Sequence, residues 1–266
     1  MRKKGSISVF LVLLLTVISG FIIKLTGAVR GSVSKSEAVL AVDDAIRSCF
    51  AEYNRKLFER YHILLIDSSY KGEEKGEDRV LDHFTVYLEN SISQNMICDT
   101  RIEGYKSARD DDGEYIYRQG ADYAGKHLIP DGESPLYDDG KLFRTYLVCV
   151  LGDHFCPNAD HVREGETEYL IYGNEDDEDN IMEALSEHGE YEDMTYGDFL
   201  SRKLDDMEDG IIRTRFLDLV TEYMRDKGSP GFDPKDSYYS LTFKAVFENE
   251  RTGEYSVTRT YSYEET

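Results

Sequence analysis

The sequence predicts an α+β fold carried on a long N-terminal helix, and three observations support that expectation. An apolar run near the start leads into Val39, Val42, Ile46, Cys49 or Phe50, Tyr53, Leu57 and Tyr61 at three- and four-residue steps, the period of one helical face. Ile212, Phe216, Leu219, Val220 and Met224 repeat the same period further along. In the tail, Leu241, Phe243, Ala245 and Phe247 alternate with polar or smaller residues, "ENERTGE" turns the chain, and Tyr255, Val257, Arg259 and Tyr261 alternate on the return, the pattern of a hairpin. Helices and antiparallel strands in separate blocks indicate α+β rather than α/β.

The N-terminus divides into a basic leader at 1–5 ("MRKKG"), a transmembrane helix at 6–29 and an amphipathic stem helix at 30–61; residues 62–266 form the extracytoplasmic α+β domain. From Ile7 to Ile23 run 17 uncharged residues, interrupted only by Ser8, Thr16, Ser19 and Gly20. They span about 26 Å as a helix, against about 30 Å of hydrocarbon. Lys24 snorkels, and Leu25 to Val29 complete the crossing. Arg2, Lys3 and Lys4 hold the N-terminus in the cytoplasm by the positive-inside rule, leaving the chain beyond Val29 outside a single-pass membrane anchor. A secretory signal peptide cleaved at Thr26-Gly27-Ala28 competes, but the run exceeds the usual apolar region of about 7–15 residues, so retention is favoured. No proline or paired glycine lies between Ser34 and Tyr61, so the stem is expected to continue for about seven turns.

Beyond the stem, "YHILLID" (61–67) reads as a short buried strand and "SSYKGEEKGEDR" as a charged loop. Val80 to Ile97 is assigned as a helix, and Arg101 to Asp139 as loop with short strands such as Glu114 to Arg118. "LFRTYLVCVL" (142–151) is the central-strand candidate, with "TEYLIYG" (167–173) as its partner. The five acidic residues between Asn174 and Asp179 favour the positive end of a following amphipathic helix. Helices around Tyr196 to Met207 and Ile211 to Arg225 precede "KGSPG" and the hairpin.

Composition narrows the function classes. The chain has a net charge of -22, yet residues 1–30 hold five basic residues and no acidic one, so residues 31–266 carry 26 basic against 53 acidic. A body that acidic repels phosphate backbones and anionic headgroups; no nucleic-acid partner is expected, and membrane contact belongs to the N-terminus. The 20 tyrosines and recurrent apolar periodicity argue for a packed body rather than disorder.

The densest group of donors is "CVLGDHFCPNADH". His154, Cys156 and His161, with Asp153 or Asp160, offer zinc ligands, but the spacing matches no two-plus-two pattern. Cys149 and Cys156 alternatively close a short loop as a disulfide outside the cytoplasm, with Cys49 and Cys98 as a second pair; free buried thiols are the third reading. "RDDDGEY" and "NEDDEDN" carry oxygen ligands without the spacing of a calcium loop, and read as a solvated loop and helix N-terminal carboxylates. There is no G-x-S-x-G and no phosphate-cradling glycine loop. His62, His83, His127 and His188 are scattered, as surface or packing residues are. No catalytic residue, metal site or cofactor is expected.

"MRKKG" followed by "SISVFLVLLL" resembles the prepilin-like N-termini of Flp-type (Tad) pilus minor components, the TadE/TadG-like proteins. "SCFAEYNRKLFERYHILLID", "TEYLIYGNEDDEDNIMEAL" and "MTYGDFLSRKLDDMEDGIIRTRFLDLVTEYM" resemble blocks of an uncharacterised extracellular domain of Gram-positive bacteria. With the leader they cover a little under half the chain. The resemblance implies leader processing between Gly5 and Ser6, other pilus or envelope proteins as partners, and a non-enzymatic structural or assembly role in a Flp/Tad-type pilus or related secretion machinery. It departs from the family at Phe10, where processed prepilins carry a glutamate; without that carboxylate a new amino terminus buried in the membrane lacks its countercharge. The architecture and pathway therefore carry over, and the pilin chemistry stays open. A membrane-anchored extracellular metal- or carboxylate-dependent hydrolase is the alternative.

Overall fold

The structure, a computed structural model, describes residues 4–92, 96–129, 137–151, 200–201, 204–227, 229–249 and 253–265. Its class is α+β. Helices α1 (Lys4–Ala51), α2 (Arg55–Tyr61), α3 (Glu77–Ser91), α4 (Glu114–His127), α5 (Asp139–Leu151) and α6 (Asp209–Asp226) accompany strands β1 (Ile66–Asp67), β2 (Ile97–Ser107), β3 (Ser237–Asn249) and β4 (Gly253–Ser262). β3 is central in a four-stranded sheet, pairing with β1, β2 and β4. The β1 pairing is antiparallel, with Ile66 opposite Tyr238 and Asp67 opposite Ser237, and β3–β4 is the hairpin expected from the alternation.

The chain clusters into two compact units. The first comprises Met1–Cys49, Leu81–Glu103 and Thr242–Thr260, and the second Phe50–Val80, Gly104–Leu241 and Tyr261–Thr266. In the first, α1 buries one stripe, Ala38, Ala41, Val42, Ala45, Ile46 and Cys49, spaced as a helical face requires. Its alanines leave room for close packing. β4 lies against α1, with Arg259 Nε donating to Asp43 Oδ1 at 3.0 Å and the Tyr255 hydroxyl donating to the Ser34 carbonyl at 3.5 Å. Phe84 of α3 stacks on Phe243 at 4.3 Å, and Phe243, Ala245 and Phe247 are fully buried. The other sheet face is polar: Thr242 and Thr260 share a 2.8 Å hydrogen bond, and Glu103 pairs with both Lys244 and Arg101 at 3.2 Å. One buried and one solvated face is the usual economy of an antiparallel sheet.

The second unit is built on α4, α5 and α6 with an aromatic centre, where the Phe216 ring meets Tyr61 at 5.6 Å, Phe143 at 5.8 Å and Tyr146 at 5.9 Å, all near edge-on. Two expectations are corrected here. Residues 142–151 are helical, within α5, not a central strand. Leu142, Phe143, Tyr146, Leu147 and Val150 are its buried face, and Asp138 caps it, Oδ1 accepting from the Lys141 amide at 2.8 Å. A continuous apolar run does not distinguish a strand from a buried helix by period. Between Arg101 and Asp139, strand β2 extends to Ser107, and α4 occupies the place of the expected strand at Glu114 to Arg118. Gly113 (φ 79°) turns the chain into α4, and Glu114 pairs with Arg118 at 3.0 Å across one helical turn.

Three boundaries also differ. α1 does not reach Tyr61; it ends at Ala51, and α2 starts anew behind Asn54, whose Oδ1 accepts from the Leu57 amide at 3.1 Å. An Asn side chain that bonds its own backbone interrupts a helix without proline or glycine. Of "YHILLID" only Ile66–Asp67 is strand. The Leu64 backbone is instead satisfied by side chains of α4, its amide by Gln119 Oε1 at 2.9 Å and its carbonyl by the Tyr115 hydroxyl at 3.0 Å. α3 begins near the expected start but stops at Ser91, and α6 matches its expected span. The expected strand at 167–173 and the helix after Asn174 lie outside the described residues. Of the helix at 196–207, Leu200, Ser201, Leu204 and Asp205 are described and helical.

Gly231 offers a stability test in the second unit. Its amide donates to the Gly72 carbonyl at 3.2 Å, and a Cβ there would stand 2.5 Å from that same oxygen and 3.0 Å from the Glu73 carbonyl oxygen. Both are backbone atoms and cannot swing aside. Gly231→Ala is expected to cost about 2–3 kcal/mol, as overpacking does, read as a lowered urea midpoint with an unchanged slope.

Candidate functional site

The feature on which a function can be built is the first half of α1. Leu11, Phe21 and Ile23 are 57%, 67% and 72% exposed, a row of apolar side chains without protein cover. Among the described residues one helix, near the N-terminus, is long and apolar enough to cross a membrane. Two of its hydroxyls are satisfied within the helix: Thr16 Oγ1 donates to the Val12 carbonyl at 2.9 Å and Thr26 Oγ1 to the Ile22 carbonyl at 2.8 Å. That removes most of the cost of placing a hydroxyl in hydrocarbon. Gly5 and Ser6, where processing is implied, have helical backbone at the start of α1.

A buried polar node in the second unit was not anticipated. Asp67 is 5% exposed; its Oδ2 accepts from Asn54 Nδ2 at 2.9 Å and its Oδ1 from the Ser69 amide at 3.0 Å. The same Asn54 amide lies 3.4 Å from Ser229 Oγ. Just beyond, the Gly72 amide closes a turn on the Ser69 carbonyl at 2.7 Å, with Tyr70 (φ 45°) and Lys71 (φ 68°) both left-handed. Each such non-glycine residue costs about 1–2 kcal/mol, which the node beneath offsets. A carboxylate engaged on both oxygens holds loops together rather than moving protons. The buried Ser69 hydroxyl has no hydrogen-bond partner among the described residues, so no base activates it there as a nucleophile. The sequence reading held no signal for this node, because Asn54 lies inside the stem helix expected over 30–61 and its partners are set by the fold.

Imidazoles and thiols are placed for packing. His62 closes α2 in a left-handed conformation, and its ring stacks on Tyr123 at 4.3 Å; His127 also meets Tyr123, tilted, at 4.9 Å. The fully buried Tyr146 donates its hydroxyl to the Tyr61 carbonyl at 2.5 Å, and burial holds its phenol well above the usual range. Burial pushes the Cys149 thiol up to about 11, which keeps it a protonated, weakly nucleophilic thiol at neutral pH. Cys156, the expected disulfide partner of Cys149, lies outside the described residues, as do Asp153, His154, Asp160, His161 and His188. The expected second pair is not formed: Cys49 is buried on α1, Cys98 is exposed on β2, and the two are not bonded to each other. In "RDDDGEY", Asp110 Oδ2 accepts from the Ser107 amide at 2.7 Å while Asp111 and Asp112 are exposed and left-handed, which makes this a turn. Among the described residues no three His, Cys, Asp or Glu side chains are grouped to hold a metal ion.

Arg144 is a second residue missed by the sequence reading. Its guanidinium donates to the carbonyls of Leu204 at 3.0 Å and Met207 at 2.8 Å, and pairs with Asp209 at 2.6 Å. It closes the chain reversal that precedes α6.

The His62 environment has a pH consequence. Burial, then repulsion from His127, lowers its folded-state pKa below 6.5. A depressed folded pKa means that the unfolded chain binds the extra proton first, so this contribution is complete above about pH 6.5 and is lost as pH falls through the folded value. The urea midpoint is expected to drop between pH 7.5 and 5.5, and His62→Phe, which keeps the stack on Tyr123, is expected to flatten that part of the profile.

These features define an α+β protein with an N-terminal helix of membrane-spanning length and composition. No family model, no curated protein and no solved structure matches the chain.

Proposed function

We propose that the chain is a non-enzymatic, single-pass protein of the cell envelope, with its N-terminus cytoplasmic and the residues beyond Val29 outside, acting as a structural or assembly component of a Flp/Tad-type pilus or related secretion machinery. The observation that carries this reading is the continuity of α1: one helix, Lys4–Ala51, is bare and apolar in its first half and packed along β4 in its second. With the span and the segment packed on β4 in one helix, load passes directly from the span to the sheet of the first unit, as a stem demands. The basic leader and the three sequence blocks named above supply the pathway, and Arg2, Lys3 and Lys4 supply the orientation. In this mechanism the span sits beside partner helices in the bilayer, while the exposed surfaces dock other subunits.

Two measurements test it. Mass spectrometry of the mature N-terminus separates the routes: a start at Ser6 supports prepilin processing, an intact terminus supports a plain anchor, and a start near Val29 removes the anchor. Deleting the gene is expected to reduce surface filaments or secretion through the same machinery, and unchanged filaments and secretion would rule out the assembly role.

A further inference from the structure

The cations that follow the apolar span form a second feature of α1. Lys24, Arg30 and Lys35 are all exposed, and the first acidic residue of the chain is Glu37. Among the described residues none of the three is ion-paired. Lys24 and Lys35 lie eleven residues apart in the sequence, about three helical turns, and so share a face; Arg30 is rotated by about 120–140° from both. The three therefore occupy two faces of the helix rather than one stripe. Elsewhere the chain is strongly acidic, so this segment stands out electrostatically.

The sheet places an aromatic group at the same level. Lys35 Nζ is held 5.4 Å from the centroid of the Tyr255 ring, whose hydroxyl donates to the Ser34 carbonyl. The contacts Ser34–Tyr255 and Asp43–Arg259 are nine residues apart on α1 and four on β4. At about 1.5 Å and about 3.3 Å per residue, both intervals are about 13 Å, so β4 runs alongside α1 in the same direction. By the same spacing Gly253 comes level with about residue 30, where the apolar span ends. The exposed Glu248 and Glu254 are even-numbered and belong to the outer face of the hairpin, opposite to Tyr255.

From this geometry we infer that Lys24, Arg30 and Lys35, with Tyr255 beside them, form a collar that binds the anionic phospholipid headgroups of the leaflet on the body's side of the membrane. Arg30 stands at the end of the span, and Lys24 and Lys35, about 9 Å and about 8 Å to either side along the axis, reach the same phosphate-bearing layer with their long side chains; a tyrosine beside them is a favoured interfacial residue. The collar is continuous with the lipid-exposed part of α1. It also keeps the acidic body off a like-charged surface by a local countercharge. This inference rests on the membrane-anchor part of the proposed function.

The test uses the full-length protein reconstituted in vesicles of phosphatidylcholine with 30% phosphatidylglycerol, followed by flotation and by native mass spectrometry of the lipids that stay bound. The wild type is expected to float and to retain phosphatidylglycerol several-fold above its bulk share, each cation contributing up to about fivefold. The triple variant K24Q/R30Q/K35Q is expected to float equally well and to retain the bulk ratio, while Arg47→Gln, an exposed cation further up the same helix, keeps the enrichment. Equal enrichment in the triple variant and the wild type overturns the collar and leaves the anchor standing. A wild type that does not float overturns both.

Discussion

Replacing Leu14 and Ile18 together with arginine is expected to detach the protein from the membrane. The two positions are one helical turn apart near the middle of residues 6–29, both bare of protein contacts at 48% and 49% exposure. Each arginine at the centre of a span costs about 2.5–3.5 kcal/mol on the insertion scale, and each lost aliphatic residue forfeits about 0.3–0.6 more. The sum, about 6–8 kcal/mol, exceeds what snorkelling recovers from mid-span. Density-gradient flotation of alkali-washed membranes reads the result: wild type and a Ser19→Ala control float, and the double variant stays at the bottom. A double variant that still floats would show that α1 is not what holds the chain to the bilayer.

Truncating Phe216 is expected to be the most damaging single change in the second unit. The side chain is fully buried, and three aromatic rings are arranged around it, so Phe216→Ala removes both transfer free energy and edge-to-face contacts and leaves a cavity that rigid rings cannot refill. The cost is about 3–5 kcal/mol, a large share of the roughly 5–15 kcal/mol that holds a domain folded. In detergent, the near-ultraviolet tyrosine signal is expected to melt about 10 °C lower. Gly120→Val attacks the same packing from the opposite side. Even a bare Cβ there would stand 2.6 Å from Tyr146 Cδ1 and 2.8 Å from Phe143 Cδ2, so overpacking outweighs the gain of about 1 kcal/mol or less that a helix makes on losing a glycine. If Phe216→Ala melts within a degree or two of wild type, the aromatic centre does not carry the unit.

The elements legible in the sequence share a property. The membrane-length run, the 3.6-residue stripe of α6 and the two-residue alternation of β3 and β4 are each complete within one segment, so their periods survive without knowledge of any neighbour. α5 failed that test because Leu142 to Leu151 is apolar nearly throughout, and its period emerges only from which side chains are buried. The candidate site divides in the same way. The span and its flanking cations are consecutive in sequence and could be read directly, whereas the node at Asp67 joins residues from three distant segments.

The amino-acid sequence by itself determined the class, the hairpin and the helix of membrane-spanning length, because hydrophobic periodicity and charge are properties of a segment and its solvent. The tertiary structure alone decided where the stem ends. Asn54 breaks the helix while its amide bonds Asp67, thirteen residues on, and lies near Ser229, 175 residues on. It also decided that Tyr255 stands beside Lys35 at the end of the span, since a strand 220 residues away in the chain must first pack along α1. In both cases the cost of leaving a polar or charged group unpartnered is settled by residues that only folding brings within reach.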